Sequence, residues 1–411
     1  MSSPLITNDA VVFGLLSAVV GTLFYTRSLG GNWARFYMFV PIILLCYLIP
    51  SLMNSFGIIS SETSKLWPIA KDYFLPACLI LLTLSIDLKA IIGLGPKALI
   101  MFFTATVGIV IGGPIAVALI GSFSPETFAA EGADAAWRGL ATVAGSWIGG
   151  GANQTAMLEV YGFNPEKYTV MVAVDIIVAN IWMAFLLYGA GNPQPIDRWL
   201  KADTSAIDAL RDKMVDYTES TERVTSSDDL MKLAGLAFGG VALAHLFGGA
   251  IAKLFAPGPG ETPSILANTF FWVVISATTI GLSLSFTKVR ELEGAGASKI
   301  GTVFIFLLVA IIGTKMDVFQ IADNPMLFVV GLVWMAIHAG LLIFVAKMIR
   351  APFFFIAVGS KANVGGAASA PVLAAAFHPS LAPVGVLLAV LGYALGTYGA
   401  VICAELMRLA S

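Results

Sequence analysis

The chain has 411 residues, of which 58% are hydrophobic and 12% carry a charge, and its formal net charge is −2. In soluble domains about a quarter of the residues are charged, so the composition excludes an ordinary soluble domain, and the near-neutral balance indicates no nucleic-acid partner. Stretches of about 18 or more residues are almost free of charge, and they predict an all-α protein with multiple membrane-spanning helices.

Twelve apolar segments follow one another, six on either side of one polar stretch at about 190–229. Their approximate limits are 8–26, 36–57, 68–87, 96–120, 135–160, 167–189, 230–256, 264–286, 299–316, 324–349, 352–377 and 381–408. No Lys or Arg precedes the first segment, so we interpret it as a retained helix and not as a signal peptide. We interpret the polar stretch as a cytoplasmic linker between a first membrane repeat, 1–189, and a second, 230–411.

Within this linker, apolar residues recur at helical spacing with charges between them. They are Ile207, Leu210, Met214 and Tyr217. The pattern is typical of a short amphipathic helix on the membrane surface, and a plain tether between the halves is the alternative.

The three cysteines, Cys46, Cys78 and Cys403, lie far apart inside apolar segments. They form neither a disulfide framework nor a metal-binding spacing, and no group of His, Cys and carboxylate residues has the spacing of a zinc site. We therefore expect buried cysteines and no cofactor beyond a coupling ion.

The two halves resemble each other at two ordinal positions. Their third segments end near Asp87 and Asp317, each followed by a proline. Their fifth segments contain GSWIGGGANQTAM at Gly145–Met157 and GSKANVGGAASAP at Gly359–Pro371. Each of these begins with Gly-Ser and contains an Ala-Asn pair and a glycine cluster. We interpret the similarity as an internal duplication, and paired glycine-interrupted apolar segments point to the binding site of a transporter.

The glycine clusters predict breaks in the helices at membrane depth. Each glycine of Gly149–Gly151 costs a helix about 1 kcal/mol relative to Ala, and glycine adopts positive φ readily. Backbone groups freed by a break must face a cavity, where carbonyls and half-helix N-termini can hold a cation or an anionic group. The candidate solute-binding residues are Ser146, Gly150, Gly151, Asn153, Gln154, Thr155, Ser360, Lys361, Asn363, Gly365, Gly366 and Ser369. Close helix packing through small residues is the alternative.

The segments 135–160 and 352–377 either span the membrane or enter and leave it on one side. If both re-enter, each half has five crossings plus one hairpin and the halves are inverted. If both span, each half has six crossings and the halves are parallel. The distribution of Lys and Arg does not separate these topologies. We favour about ten transmembrane helices, two re-entrant or broken hairpins and two inverted repeats, because a triple-glycine break followed by polar residues suits a hairpin tip.

Asp175 lies near the middle of an apolar segment, five residues before Asn180. An intramembrane carboxylate is expected to be paired, protonated or bound to a cation, and neutral oxygens with freed carbonyls suit a hard cation. We predict that Na⁺, as the only metal, or H⁺ binds here, with a structural, hydrogen-bonded Asp175 as the alternative. The candidate cation-coupling residues are Asn153, Thr155, Asp175, Asn180 and Asn363.

Lys361 stands at the second glycine cluster. It has three possible roles: pairing with Asp175, attracting an anionic solute, or extending its ammonium to the membrane interface. In the last apolar segment, Tyr393, Thr397 and Tyr398 are candidates for lining a cavity, although Tyr is also common at interfaces.

The remaining ionisable residues of the apolar segments have structural interpretations. His245 and His338 are expected to be hydrogen-bonded core residues, with a proton relay as the alternative, and Glu159 is expected to be an interfacial residue. Asp87 and Asp317, at the ends of their segments, are expected to cap helices or to lie at the interface.

Over nearly its whole length, the chain resembles the YjcL-like family of multispanning bacterial membrane proteins, a domain of unknown function. The resemblance is carried by GSWIGGGANQTAM and by the segment from Ser360 to Ala400, SKANVGGAASAPVLAAAFHPSLAPVGVLLAVLGYALGTYGA. More distantly, the paired glycine-rich hairpins are similar to those of sodium-coupled glutamate and citrate symporters. That similarity implies inverted repeats, an elevator-type motion and hairpin tips that meet near the midplane. The tip residues differ here, so the substrates of those symporters do not carry over.

Three hypotheses for function follow. The first is a secondary transporter of the bacterial inner membrane that moves a small polar or anionic organic solute, of the amino acid, short peptide or carboxylate class, with Na⁺ or H⁺. The second is a monovalent cation/proton antiporter with Asp175 as the carrier. The third and most remote is an intramembrane enzyme, because neither Ser146 nor Ser360 has a His or a paired carboxylate in an evident motif.

The predicted architecture has a moving and a static part. We expect Gly149–Gly151 and Gly365–Gly366 to lie near each other at mid-membrane depth and to move together as one transport unit. We expect the segments 8–57 and 230–286 to form a static scaffold and a homodimer interface.

Overall fold

The computed structural model describes residues 4–59, 64–205, 207, 210, 225–257, 265–316 and 324–411. Asp317, Met214 and Tyr217, three residues of the patterns above, lie outside this part of the chain. Within it the regular structure is helical, and the one β-type pairing is a bridge between Ile6 and Ile59. The prediction of an all-helical protein is therefore confirmed for the described residues.

Each apolar segment is helical to within several residues of its predicted limits, and the short helices α5 and α9 lie outside the segments. The first eight are α1 Asp9–Ser28, α2 Gly31–Phe39, α3 Ile42–Ser55, α4 Leu66–Leu84, α5 Leu88–Gly93, α6 Pro96–Phe123, α7 Ala136–Tyr161 and α8 Tyr168–Gly191. The others are α9 Pro193–Leu200, α10 Ser227–Leu254, α11 Thr269–Ser285, α12 Ala297–Gly313, α13 Met326–Ile349, α14 Phe353–Asn363, α15 Gly366–Phe377 and α16 Ala382–Ala410. A five-residue π-helical turn, Ala70–Phe74, interrupts α4.

Local capping explains several helix ends. The Asn8 side chain accepts hydrogen bonds from the backbone N–H groups that begin α1. Ser226 and Asp229 form a reciprocal capping box at the start of α10. Asp87 caps α5 by accepting from the Ala90 N–H, as its position at a segment end predicts. Gly162 ends α7 in the left-handed conformation.

Seven helices of the described chain are long and apolar enough to cross a membrane, and the number rises to nine if two sharply bent pairs each count as one span. The helix α12 is shorter, with 17 residues. The chain is therefore a multi-pass membrane protein. The total of about ten crossings plus two hairpins stays a prediction, because length and composition alone do not decide which broken helices cross.

The helices pack as two bundles, and each bundle combines helices from both sides of the linker. In the first, a β-carbon added to Gly240 of α10 would lie 2.7 Å from Ile80 of α4, and Phe74 stacks on Phe304 of α12 with ring centroids 5.3 Å apart. This bundle also contains α11, because Gly281 packs directly on Ile80.

The second bundle contains α6, α7, α8 and α13–α16. A β-carbon added to Gly112 of α6 would lie 2.8 Å from Trp334 of α13, and one added to Gly331 of α13 would lie 2.7 Å from Val174 of α8. Small residues thus let these backbones approach closely, as is common between membrane helices.

Candidate functional site

The chain reverses direction inside α7. Gly150 has φ 72° and ψ −172°, which are not helical, and the helix breaks there. The two arms then run side by side, because Arg138 near the start donates a hydrogen bond to the carbonyl of Tyr161 at the end. The Trp137 and Tyr161 rings are in edge contact, with centroids 5.5 Å apart. We call residues 136–161 the first hairpin and Gly150 its tip.

A second reversal joins α14 to α15. Gly365, with φ 110°, separates the two helices. The start of α14 again meets the end of α15, because the Phe354 and Phe377 rings have centroids 5.2 Å apart. We call residues 353–377 the second hairpin and Gly365–Gly366 its tip.

The two tips converge on one aromatic ring. A β-carbon added to Gly150 would lie 3.5 Å from Cε1 of Tyr393, and one added to Gly366 would lie 3.9 Å from the same atom. Tyr393 belongs to α16 and is 8% exposed. Both breaks, which come from different halves of the chain, therefore lie beside the same edge of this ring.

Glycines of α16 form the surface on which the tips rest. A β-carbon added to Gly396 would lie 2.5 Å from Cα of Gly149. One added to Gly392 would lie 2.8 Å from the Ile148 carbonyl oxygen of the first hairpin and 3.3 Å from the Ala362 carbonyl oxygen of the second. The residues just before each tip thus pack closely against α16, which leaves no room for a side chain on Gly392 or Gly396.

Asn153 attaches the first tip to α16. Its Nδ2 donates to the Gly149 carbonyl at 3.0 Å and to the Tyr393 carbonyl at 3.1 Å, while its Oδ1 accepts from the Thr397 hydroxyl at 2.6 Å. The amide is fully buried. Its hydrogen bonds therefore stabilise the closed tip, and Thr397 contributes to that contact.

Asn363 attaches the second hairpin to α6 in a similar way. Its Nδ2 donates to the Gly359 carbonyl at 3.0 Å and to the Phe102 carbonyl at 3.3 Å, and its Oδ1 accepts from the Thr106 hydroxyl at 2.8 Å. Asn363 precedes its break, however, whereas Asn153 follows its own. The two Ala-Asn pairs are therefore not structurally equivalent, although the sequence comparison aligned the motifs that contain them.

Asp175 joins the two arms of the first hairpin. Its Oδ2 accepts from the Ser146 hydroxyl at 2.7 Å and from Nε2 of Gln154 at 3.0 Å, and its Oδ1 accepts from Nε1 of Trp147 at 2.8 Å. Ser146 and Trp147 precede the tip and Gln154 follows it. The Tyr47 hydroxyl of α3 lies 3.5 Å from Oε1 of Gln154.

Lys361 reaches the same helix from the second hairpin. Its Nζ donates to the Ala179 carbonyl at 3.2 Å, and the side chain is 3% exposed. Ala179 is four residues from Asp175 on α8. The carbonyl that Lys361 binds and the Asp175 side chain therefore lie on one face of that helix, one turn apart. No carboxylate of the described residues lies within ion-pair distance of this ammonium.

Ser360 has a histidine neighbour that the sequence does not reveal. Nε2 of His338 lies 2.7 Å from the Ser360 hydroxyl, and Nδ1 of His338 lies 3.0 Å from the Ala105 carbonyl. A carbonyl accepts only, so Nδ1 carries the proton and Nε2 accepts from Ser360. Nε1 of Trp182 also donates to this hydroxyl at 2.7 Å. The expectation of a hydrogen-bonded core His338 is confirmed.

Three other candidates lie at or beside the tips. The Thr155 hydroxyl donates to the Gly151 carbonyl at 3.0 Å, within its own arm. The Ser369 hydroxyl is buried next to Gly365, without a hydrogen-bond partner among the described residues. Gly365 itself is exposed.

Asn180 lies elsewhere. It is exposed and donates to the Ile176 carbonyl of its own helix. Five residues along a helix correspond to about 140° around its axis, so Asn180 faces away from the Asp175 cluster. The structure does not bring this predicted coupling residue to the tips.

The sequence reasoning missed the groups that attach the tips. Thr106 and Trp182 were not singled out, since one polar residue in an apolar helix is a weak signal. The sequence pointed to Gly392 and Gly396 only through the family resemblance. Their G-x-x-x-G spacing, however, is a known sign of close helix approach. Here the two glycines allow both hairpins of the same chain to approach α16 closely.

Two surface clefts lie away from the tips. One of about 390 Å³ is lined by residues of α10 and α11, among them Phe247, Trp272 and Thr279. Another of about 550 Å³ is lined by residues of α4 and α10 that include Asp72 and His245. His245 bonds to the Asp72 carbonyl at 2.8 Å, so it is hydrogen-bonded as expected, but it is half-buried at this cleft and not a core residue. Both clefts belong to the first bundle, so neither includes the hairpin residues.

Comparison with known proteins gives two matches. The model of the family described as "Protein of unknown function (DUF819)" matches residues 14–410. The chain is also 24% identical over 363 residues to the uncharacterized membrane protein YjcL of Bacillus subtilis (strain 168), which covers 84% of this chain and 85% of that protein. The predicted resemblance is therefore confirmed.

Proposed function

Because this chain is a multi-pass membrane protein that belongs to the DUF819 family, we propose a function from its site. It is a secondary active transporter of the bacterial inner membrane. It carries a small polar or anionic organic solute, coupled to Na⁺ or H⁺, by an elevator motion of the second bundle against the first. The solute binds between the two hairpin tips.

The observation that carries this proposal is the convergence of both breaks on Tyr393. Two interrupted helices that meet inside a membrane bundle put free backbone groups on a shared site, which is how many secondary transporters bind their solutes. A single break could be explained as a packing kink. Two breaks beside the same ring atom are better explained by a ligand that binds between them.

The two-bundle arrangement supports the elevator motion. Both hairpins and α8 belong to the second bundle, and the polar contacts between the bundles in the described part of the chain are individual side-chain contacts. One is the ion pair of Lys71 with Glu159 at 3.1 Å. Others join Asn268 to the Val160 carbonyl at 3.0 Å and the Thr278 hydroxyl to that of Thr397 at 3.1 Å. Sliding would break contacts of this kind at modest cost.

We propose that the coupling cation binds at the first hairpin, at Asp175. In the present arrangement the carboxylate receives N–H donors from Trp147 and Gln154, and such donors repel a metal ion. A bound Na⁺ therefore requires the Trp147 N–H to leave Oδ1, whereas a proton needs only one carboxylate oxygen. Either event loosens the tie between the two arms and couples the ion to the shape of the tip.

The proposal is tested with purified protein in proteoliposomes. Uptake of radiolabelled L-alanine, L-glutamate, citrate, gluconate and dialanine is followed under imposed Na⁺ or pH gradients. We expect at least one solute to accumulate only with a gradient, and Gly150→Val to abolish that accumulation. Gly162→Ala, at a left-handed position outside the tip, is the control for glycine strain. No accumulation of any solute under either gradient contradicts the proposal.

Two alternatives have distinct tests. A cation/proton antiporter at Asp175 would move protons against Na⁺ in vesicles without any organic solute. An intramembrane hydrolase would use the Ser360–His338 pair, but Ser360 is fully buried and also accepts from Trp182, which disfavours attack on a substrate. We propose that the chain is not an enzyme and expect no labelling of Ser360 by a fluorophosphonate probe.

The homodimer predicted for the scaffold is also a proposal. Helix α10 exposes large apolar side chains, including Leu246 at 68% and Phe247 at 50%. Such a face packs against lipid or against a second copy. Light scattering of the protein in a defined detergent distinguishes a dimer from a monomer.

A further inference from the structure

Beside the second tip, the space around an exposed glycine is bordered by a buried ammonium and a buried hydroxyl. Gly365 is exposed although its neighbours in both arms are buried. A β-carbon added to Gly365 would lie 3.2 Å from Nζ of Lys361 and in contact with the hydroxyl of Ser369. Both polar groups therefore border the exposed space beside Gly365, and no side chain on Gly365 covers them.

The ammonium of Lys361 is incompletely satisfied. An ammonium has three N–H donors, and one of them reaches the Ala179 carbonyl. The side chain is 3% exposed, so water offers little compensation. A buried charge is costly unless it is paired. The nearby carboxylate of Asp175 already accepts three hydrogen bonds from the first hairpin.

The backbone adds further donors at the same place. Helix α15 begins immediately after Gly365, and no side chain caps its N-terminus. The first N–H groups of a helix have no partner inside the helix, and the helix dipole favours an anion there. A buried ammonium, a hydroxyl without a partner among the described residues and a helix N-terminus thus meet beside Gly365.

We infer that this space holds the carboxylate of the transported solute. The carboxylate accepts hydrogen bonds from Nζ of Lys361, from Oγ of Ser369 and from the first N–H groups of α15, and the rest of the solute extends toward the ring of Tyr393. The one positive charge of Lys361 balances the one negative charge of a carboxylate, and the Ser369 hydroxyl donates a further hydrogen bond. The inference rests on the proposed transport function and narrows its solute class to carboxylic acids.

The experiment compares acids with their neutral analogues. Thermal unfolding of the full chain in detergent is measured with monocarboxylates, amino acids and hydroxy acids, each paired with its primary amide, for example propionate with propionamide or L-alanine with L-alaninamide. We expect at least one acid, but not its amide, to raise the unfolding temperature in a saturable way. Lys361→Gln should weaken the apparent affinity for that acid about tenfold or more, and Ser369→Ala by several-fold.

Lys347→Gln is the matched control. This lysine is also on the second bundle, but it lies over the Trp199 ring at 4.0 Å, away from the tips, so the affinity for the acid should not change. If Lys361→Gln does not fold, Ser369→Ala and Lys361→Arg decide by the same measurement, the arginine keeping part of the affinity.

Equal effects of acids and amides, no effect of any acid, or unchanged acid affinity in both the Lys361 and Ser369 variants would overturn the inference. The transport function is tested separately. Gradient-driven uptake of a neutral solute with no acid preference would leave the function intact while removing the carboxylate site. Acid binding without any uptake would do the opposite.

Discussion

The Asp175 side chain and the Ala179 carbonyl that Lys361 binds lie on the same face of α8, one helical turn apart. Asp175 binds the first hairpin, whereas Lys361 belongs to the second. Asp175 holds the two arms of the first hairpin, and Lys361 reaches the Ala179 carbonyl from the second. The helix α8 therefore connects both tips. A change in charge at Asp175 or at Lys361 therefore acts on α8, which interacts with both hairpins.

The hydrogen bonds between Asp175 and the first hairpin can be tested by exchanging carboxylate and amide groups. Asp175→Asn should lower the free energy of unfolding by about 2 kcal/mol, because an amide N–H would face one of three donors that now bond to a carboxylate. Adding Gln154→Glu should recover part of the loss, since the Asn amide can then donate to the new carboxylate. Chemical denaturation in detergent measures both variants. If the second substitution worsens the loss, the assigned donor directions are wrong.

Close approach of the first tip to α16 predicts a large effect of a single methyl group. Gly396→Ala would put a β-carbon 2.5 Å from Cα of Gly149, so it should destabilise the protein by about 1–3 kcal/mol and displace the hairpin. Gly340→Ala in α13 is the control, because no atom lies within 4 Å of its β-carbon and Ala is the better helix former. Thermal unfolding compares the two. Equal stabilities would show that the tip does not rest on Gly396.

The two threonines that bond to the Asn side chains should matter more than other threonines of apolar helices. Thr397→Val and Thr106→Val each leave an Asn oxygen without its donor, and each should cost about 0.5–2 kcal/mol. Thr302→Val is the control, because its hydroxyl bonds only to the Ser298 carbonyl of its own helix. Unfolding measurements and solute uptake should both separate the first two variants from the third. A loss in Thr302→Val as large as in the others would argue against a special role for the tips.

Relative motion of the bundles is testable by cross-linking. In a background without Cys46, Cys78 and Cys403, which are buried free thiols, cysteines replace Lys71 and Glu159, one on each bundle. A short bifunctional thiol reagent that joins them should abolish uptake, and reductive cleavage of the bridge should restore it.

A cross-link inside one bundle provides the control. Cysteines in place of Phe74 and Phe304, which stack within the first bundle, should be bridged without loss of uptake. Full transport by a protein with a complete bridge between bundles would exclude the elevator motion.

Proton coupling should not arise from the linker. Hydrogen bonds from Ser205 and the ion pair with Lys97 lower the pKa of Asp203 to about 2. A depressed carboxylate pKa stabilises the folded state above the unfolded value of about 3.9 and loses that effect only as the pH falls toward about 2. The contribution is constant from about pH 5 to 8, so Asp203→Asn should keep the wild-type pH profile of uptake there. A shifted midpoint in the variant would contradict this assignment.

Much of the architecture could be predicted because the membrane limits the choices. Apolar segments in lipid must form helices, and the predicted segments coincide with the observed helices to within several residues. The glycine clusters marked both breaks for a local reason: Gly150 and Gly365 have positive φ, which glycine adopts without strain. The shared Ala-Asn pairs did not indicate structural equivalence, because similar sequences do not show on which side of a break a residue lies.

By itself, the sequence determined that this protein is helical, that it crosses the membrane several times and where its helices break, because these depend on local composition and backbone freedom. The tertiary structure alone decided which groups meet. Thr397 reaches Asn153 across 244 positions and Thr106 reaches Asn363 across 257, while His338 meets Ser360 from a separate helix. Periodicity tells which face of a helix is buried, but the partner on the facing helix depends on packing angles and on where small residues allow close approach.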